Sequence, residues 1–352
     1  MLLSILCSVI LGLQPLHESG YRGEGMTIAV IDCGFYHANV DSLFPQQRII
    51  GVYDLLREDS VNREDMFSVS YDDHGAHCLS TMLAQTKEFT GTAPDANYIL
   101  IRTEDLAYEY LGEVDRLERG LWLADELGAD IITISLGYSE FDDASENFVY
   151  ADMNGLQSVS QTATALARKG RLICVAVGNY GNKPWHYVDI PADADSILTV
   201  GACTEEGMPA AFSSYGPTSD GRQKPEVSAW GVMTRVLNLE TGGVEYGSGS
   251  SYATPEVAGM AACLWQALPD KSAMEIRDLI IRSASNYPLA DDQMGYGVPD
   301  AHKAYLLAQH GTGCESVYGQ DASLRVQKVM HRGRLYIRRG DVWYDLLGRR
   351  IP

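Results

Sequence analysis

The chain has 352 residues, of which 45% are hydrophobic and 21% charged. That is the profile of a folded protein with one large domain and room for a small appendage, not of a disordered chain. Its net charge of −20 opposes nonspecific attraction to nucleic acid or anionic membranes, and no apolar run reaches the roughly 20 residues that span a bilayer.

From the N-terminus, Leu2 to Leu13 form an apolar stretch of about signal-peptide length. It lacks a basic n-region and a small-x-small cleavage site. A truncated signal peptide and an ordinary buried segment therefore both stay open for residues 1–20. Met26 to Ile31 reads as a short, almost wholly apolar strand, as in a parallel sheet covered on both faces. His74 to Ala84 reads as a helix, Tyr98 to Ile101 as a strand, and Leu111 to Leu127 as an amphipathic helix stopped by Gly128. Asp130 to Leu136, Arg171 to Val177 and Ile197 to Val200 are further strands, with a helix over Val159 to Lys169. Three helices close the domain, over Ser251 to Leu268, Ser272 to Ser283 and Asp300 to Ala308. This alternation predicts an α/β fold, a mostly parallel central sheet with helices on both faces, whose ligands sit at the carboxyl ends of the strands.

A boundary falls near residues 311–319. Beyond it the tail is basic (Lys328, Arg332, Arg334, Arg338, Arg339, Arg349, Arg350), and a two-residue period around Arg339-Gly340-Asp341 predicts a small β-hairpin. The expected organisation is an N-terminal segment 1–20, a main domain 21–310 and a tail 311–352. The seven cysteines are scattered without a C-x-x-C pair, which argues against zinc. Cys174 and Cys263 lie in apolar runs and read as buried thiols. No metal site and no cofactor is expected. Carboxylates are plentiful, yet no calcium-loop spacing marks a structural calcium.

Four segments carry residues suited to chemistry. Asp32 ends the first apolar strand, where a carboxylate needs a partner to offset its burial. His74 opens a helix beside Gly75, which permits close backbone approach. Ser251 follows the glycine-rich run Gly247-Ser248-Gly249-Ser250 at a helix start, where free N–H groups and the helix dipole stabilise an oxyanion. Asn179 ends the buried strand Cys174 to Val177 with an amide able to donate. Taken singly, each also reads as an ordinary turn or cap residue. Pro255, inside the last of these segments, needs a structural reason, since proline removes a helix hydrogen bond beyond the first turn.

Together and in this order the segments resemble the subtilase family of serine peptidases. Asp32-Cys33-Gly34 is similar to its D-x-G, His74-Gly75-Ala76-His77 to its H-G-T-H, and Gly249-Ser250-Ser251-Tyr252-Ala253-Thr254-Pro255 to its G-T-S-x-A-x-P. Gly91 to Ala96, Phe212 to Gly216, Lys224 to Val227 and Gly295 to Val298 resemble further family segments, so the likeness runs from about Tyr21 to Leu307. Ala76, Ser250 and Glu256 depart from its pattern. Thr103 to Asp105, Ser135 to Asp142 and Trp185 are similar to the secreted subtilases of Bacteroidetes, and Tyr344 to Arg350 resembles the start of their C-terminal sorting modules.

The resemblance implies a serine endopeptidase acting on proteins or peptides through an Asp32, His74 and Ser251 triad, with Asn179 at the oxyanion. It implies a primary pocket walled by Ser135, Leu136 and Gly137 and by Ala176, Val177 and Gly178, with Asp189 near its base. It also implies a secreted, cell-surface or periplasmic location, with the tail engaging secretion machinery. The competing reading is a binding module of the same shape without turnover. An α/β-hydrolase esterase is disfavoured, because G-x-S-x-G is missing at the serine and the triad order differs.

Overall fold

The computed structural model describes residues 11–56, 65–70, 73–88 and 90–310, together with four short strands of the tail. The chain divides into a unit of residues 1–309 and a unit of residues 310–352.

The first unit is built on seven strands. They are β1 (Thr27–Asp32), β2 (Ile49–Asp54), β3 (Asn97–Arg102), β4 (Ile131–Ile134), β5 (Leu172–Ala176), β6 (Leu198–Cys203) and β7 (Val227–Trp230), in the order β2-β3-β1-β4-β5-β6-β7. Every pairing in this sheet is parallel. Alternate residues of β1 feed opposite layers: Ile28 and Val30 join one core, Ala29 and Ile31 the other. The first core packs against α3 (His74–Leu83), α6 (Ser250–Ala267) and α7 (Ala273–Ser283). The second packs against α4 (Gly112–Glu126) and α5 (Ser158–Lys169). A sheet covered on both faces explains why its strands read as continuous apolar runs.

The strand order reverses direction at β1, whose neighbours β3 and β4 lead to opposite edges. Such a switch point leaves a crevice at the carboxyl ends of the strands, where Asp32 sits.

The short helices α1 (Gln14–Glu18) and α2 (Asp65–Ser68), the closing helix α8 (Ala301–His310) and the hairpin of β8 (Thr234–Leu237) and β9 (Val244–Gly247) complete the unit. Leu11, Leu13 and Leu16 are buried in the first core, and the Ala301 N–H donates to the Leu11 carbonyl. The described part of the apolar N-terminal stretch is thus core, and residues 1–10 lie outside the described residues. The five described cysteines, Cys174 and Cys263 among them, are free and buried. Cys7 and Cys314 fall outside the described residues.

The second unit extends the expected hairpin to an antiparallel sheet of four strands: β10 (Val326–His331), β11 (Arg334–Arg339), β12 (Val342–Tyr344) and β13 (Arg350–Ile351). Arg339 pairs with Val342, and Gly340 and Asp341, where the turn was expected, lie outside the described residues.

Candidate active site

Asp32 is fully buried at the end of β1. Its Oδ1 accepts the Cys33 N–H at 2.9 Å and a hydrogen bond from His74 Nδ1 at 2.7 Å. A carboxylate only accepts, so Nδ1 carries the proton and Nε2 of the neutral ring is left as an acceptor. Asp32 Oδ2 is buried with no hydrogen-bond partner among the described residues. Arg102 lies beside Asp32 in the β1–β3 register, but its guanidinium is taken by Asp54, at 3.1 Å from Nε and 2.5 Å from Nη2.

His74 opens α3, the helix that Gly75 brings against β1. A methyl group on Gly75 would lie 2.3 Å from the Gly34 carbonyl oxygen and 2.8 Å from Asp32 Cβ, so no larger residue permits this approach. Burial opposes a charged imidazole here, but the Asp32 charge and hydrogen bond, with the thiols of Cys78 and Cys33, outweigh it and raise the His74 pKa well above 6.5.

Ser251 is the second residue of α6. Its N–H belongs to the first turn, whose N–H groups have no intrahelical acceptor. Its hydroxyl is turned to the Ser135 carbonyl oxygen at 3.3 Å. Pro255 explains a second contact. It stands four residues after Ser251 and has no N–H, so the Ser251 carbonyl loses its helical donor. Ser135 Oγ donates to that carbonyl instead at 2.8 Å, and Cys78 Sγ does so at 3.3 Å. One proline thus ties the serine to the pocket wall and to the helix of His74. Cys78 lies 3.9 Å from His74 Nδ1 and 4.0 Å from Nε2. Pro255 was the sequence signal for this clamp, although the roles of Cys78 and Ser135 in it were not legible.

Asn179 lies three residues beyond β5. Its Oδ1 accepts the Ser250 N–H at 2.8 Å and the Ser250 hydroxyl at 3.1 Å. Those bonds fix the amide plane, and Nδ2 points away from Ser250, near Gly249. Ser250, which replaces the threonine of the family pattern, supplies both donors.

A cleft of about 490 Å³ opens beside Ser251. Ser135, Leu136, Gly137, Ala176, Gly178, Asn179 and Asp189 line it. Val177 is the exception among the expected wall residues. Strand alternation turns its side chain into the second core and out of the cleft, while its carbonyl accepts the Asp189 N–H at 3.3 Å. The lining also holds Glu104, Glu109, Glu140 and Asp142, which sequence reasoning missed because they come from separate loops with no shared spacing. Burial and neighbouring carboxylates push Glu104 up to about 8 and Glu109 up to about 7.

Among the described residues, Asp32, His74 and Cys78 form the one group with metal-ligating atoms close together, and there Asp32 already binds the His74 ring. His77 turns elsewhere, to Glu245 at 2.9 Å.

A parallel sheet that delivers a carboxylate–imidazole pair from one strand end and a serine from a helix start has the architecture of subtilisin-like serine peptidases. The chain belongs to the subtilase family, which it matches over residues 23–297, and is by class a serine-type endopeptidase. Serine protease AprX of Bacillus subtilis is 27% identical over 317 residues, covering 80% of this chain and 66% of AprX. Thermitase of Thermoactinomyces vulgaris is 28% identical over 286 residues, covering 80% of this chain and 89% of thermitase. Two solved structures bear out the fold. The self-cleaved protease domain of PatA superposes with a TM-score of 0.62 at 23% identity, covering 82% of this chain and 99% of that domain. The Clostridium perfringens CspB protease gives a TM-score of 0.70 at 15% identity, covering 87% and 99%. No described helix is long and apolar enough to cross a membrane.

Proposed function

We propose that the chain hydrolyses peptide bonds through an acyl-enzyme on Ser251, with His74 as general base and acid and Asp32 as the residue that orients it. The observation that carries this reading is the 2.7 Å hydrogen bond from His74 Nδ1 to a fully buried Asp32, which leaves Nε2 to take a proton. Rotation of the Ser251 hydroxyl from the Ser135 carbonyl towards Nε2 readies the attack; such bonds commonly tighten only when substrate binds. As Ser251 Oγ bonds to the scissile carbonyl carbon, its proton passes to His74. The imidazolium then compensates Asp32, whose Oδ2 has no other partner among the described residues. The Ser251 N–H and Asn179 Nδ2 hold the oxyanion. His74 returns the proton to the leaving amine, and water repeats the sequence to release the acid.

The cleft side of Ser135 to Gly137 and the segment Ala176 to Asn179 serve as the walls for the residue preceding the cut. The same reading places the protein outside the cytoplasm, with its basic tail engaging the export apparatus; its support is the resemblance of Tyr344 to Arg350 to C-terminal sorting modules. The test of the chemistry is turnover of a peptide substrate by the single and double alanine variants of His74 and Ser251. Each single variant should lose about 10⁶-fold in kcat, and the double variant little more, because the residues act as a unit. Independent, multiplicative losses would refute the shared mechanism.

A further inference from the structure

The floor of the cleft is acidic to a degree that the hydrolysis itself does not require. Glu104, Glu109, Glu140, Asp142 and Asp189 line it, against the single cationic side chain of Lys183, and Lys183 Nζ sits over the Tyr180 ring, 4.7 Å from its centre. Asp189 is the deepest of the five, at 1% exposure. Its Oδ1 accepts the Trp185 indole N–H at 3.0 Å, and no cationic side chain pairs with it among the described residues. A neutral acceptor would satisfy the indole equally well, so an acidic residue at this position is left to be explained.

The walls are shaped around that carboxylate. A methyl group on Gly178, whose φ is +108°, would lie 2.3 Å from Asp189 Oδ2. One on Gly137, on the facing wall, would lie 2.9 Å from Asp189 Cβ. The two glycines therefore let the Asp189 side chain pack directly against both walls, so that its carboxylate lines the same cleft as Ser251. Burial without a counter-cation pushes the Asp189 carboxyl up to about 7, the mark of a charge that lacks its partner. Burial, together with the nearby carboxylates, pushes the Tyr180 hydroxyl up to about 12.

We infer that the protein cleaves after arginine or lysine, with Asp189 as the residue that selects the cationic side chain. This rests on the peptidase reading above. A guanidinium or ammonium entering the slot would supply the missing cation to Asp189 through a charge-assisted pair, bidentate for arginine. An apolar side chain would bury the same carboxylate unpaired.

The test uses the full chain and peptide anilides that differ only in the last residue: Arg, Lys, Phe or Leu. The kcat/KM for Arg and Lys is expected to exceed that for Phe and Leu about 100-fold or more, the order reached when a site would otherwise leave a polar group unpaired. Asp189→Asn keeps the size of the side chain and an acceptor for Trp185, and is expected to lower the Arg-to-Phe ratio about 100-fold. A measurement on the unaltered protein guards against misfolding of that variant: benzamidine should slow fluorophosphonate labelling, and its neutral analogue benzamide should not. Phe and Leu cleaved as fast as Arg, in a protein that labels with fluorophosphonate, would overturn the selectivity alone. A protein that neither labels nor cleaves would overturn the peptidase reading and the selectivity with it.

Discussion

Gly75→Ala is the perturbation that most directly tests how His74 is placed. The φ of Gly75 lies outside the left-handed region, so the residue is there for proximity. An alanine methyl would stand 2.3 Å from the Gly34 carbonyl oxygen, 2.8 Å from Asp32 Cβ and 3.0 Å from Phe35 Cε1. Non-bonded carbon contacts settle near 3.5–4.0 Å, so α3 must back away from β1 by about 1 Å. One of the three obstacles is Asp32 itself and the other two follow it in the chain, so that shift falls on the 2.7 Å bond between Asp32 and His74. A displacement of about 1 Å in a catalytic group costs about 100-fold in rate, and overpacking of this kind costs about 1–3 kcal/mol of stability. Steady-state kinetics on a peptide anilide, with a thermal melt of the same sample, reads both. A variant that keeps the kcat and the midpoint of the parent would show that this contact does not position His74.

Asn179→Ala should lower kcat about 100- to 1000-fold and leave KM near its starting value, because the lost donor acts on the oxyanion; an equal loss from KM would assign Asn179 to ground-state binding. His74 must be neutral to accept a proton, and its pKa is raised above 6.5. The kcat/KM should therefore climb as pH rises through and beyond neutrality, and a profile already flat from pH 6 would contradict the environment assigned to His74. Removing the tail after His310 should leave kcat and the thermal midpoint unchanged; a large fall in either would make the tail part of the catalytic unit.

The central strands were legible because both faces of the sheet are covered. Ala29, Val30 and Ile31 point to alternate cores, yet all three must be apolar. β2 escaped for the opposite reason: it is an edge strand with Ile50 56% exposed, so its pattern is mixed. The β8–β9 hairpin has four-residue strands, too short to establish a period. At the site, the placing of Asp32, His74, Ser251 and Asn179 was legible because each lies at or just beyond a strand end or at a helix start. The carbonyl clamp on Ser251 was half legible, in the missing N–H of Pro255. Asp189 was expected near the pocket base, but the rest of the acidic lining was not legible, since Glu104, Glu109 and Glu140 join it only through the packing of loops distant in sequence.

The proposed mechanism stands on Ser251, activated by His74, as the nucleophile. Reaction with a fluorophosphonate, followed by peptide mapping of the adduct, measures this in one step. A single adduct on Ser251 is expected, formed in the parent and reduced by orders of magnitude in His74→Ala. An adduct on another residue, or labelling that survives Ser251→Ala, would contradict it.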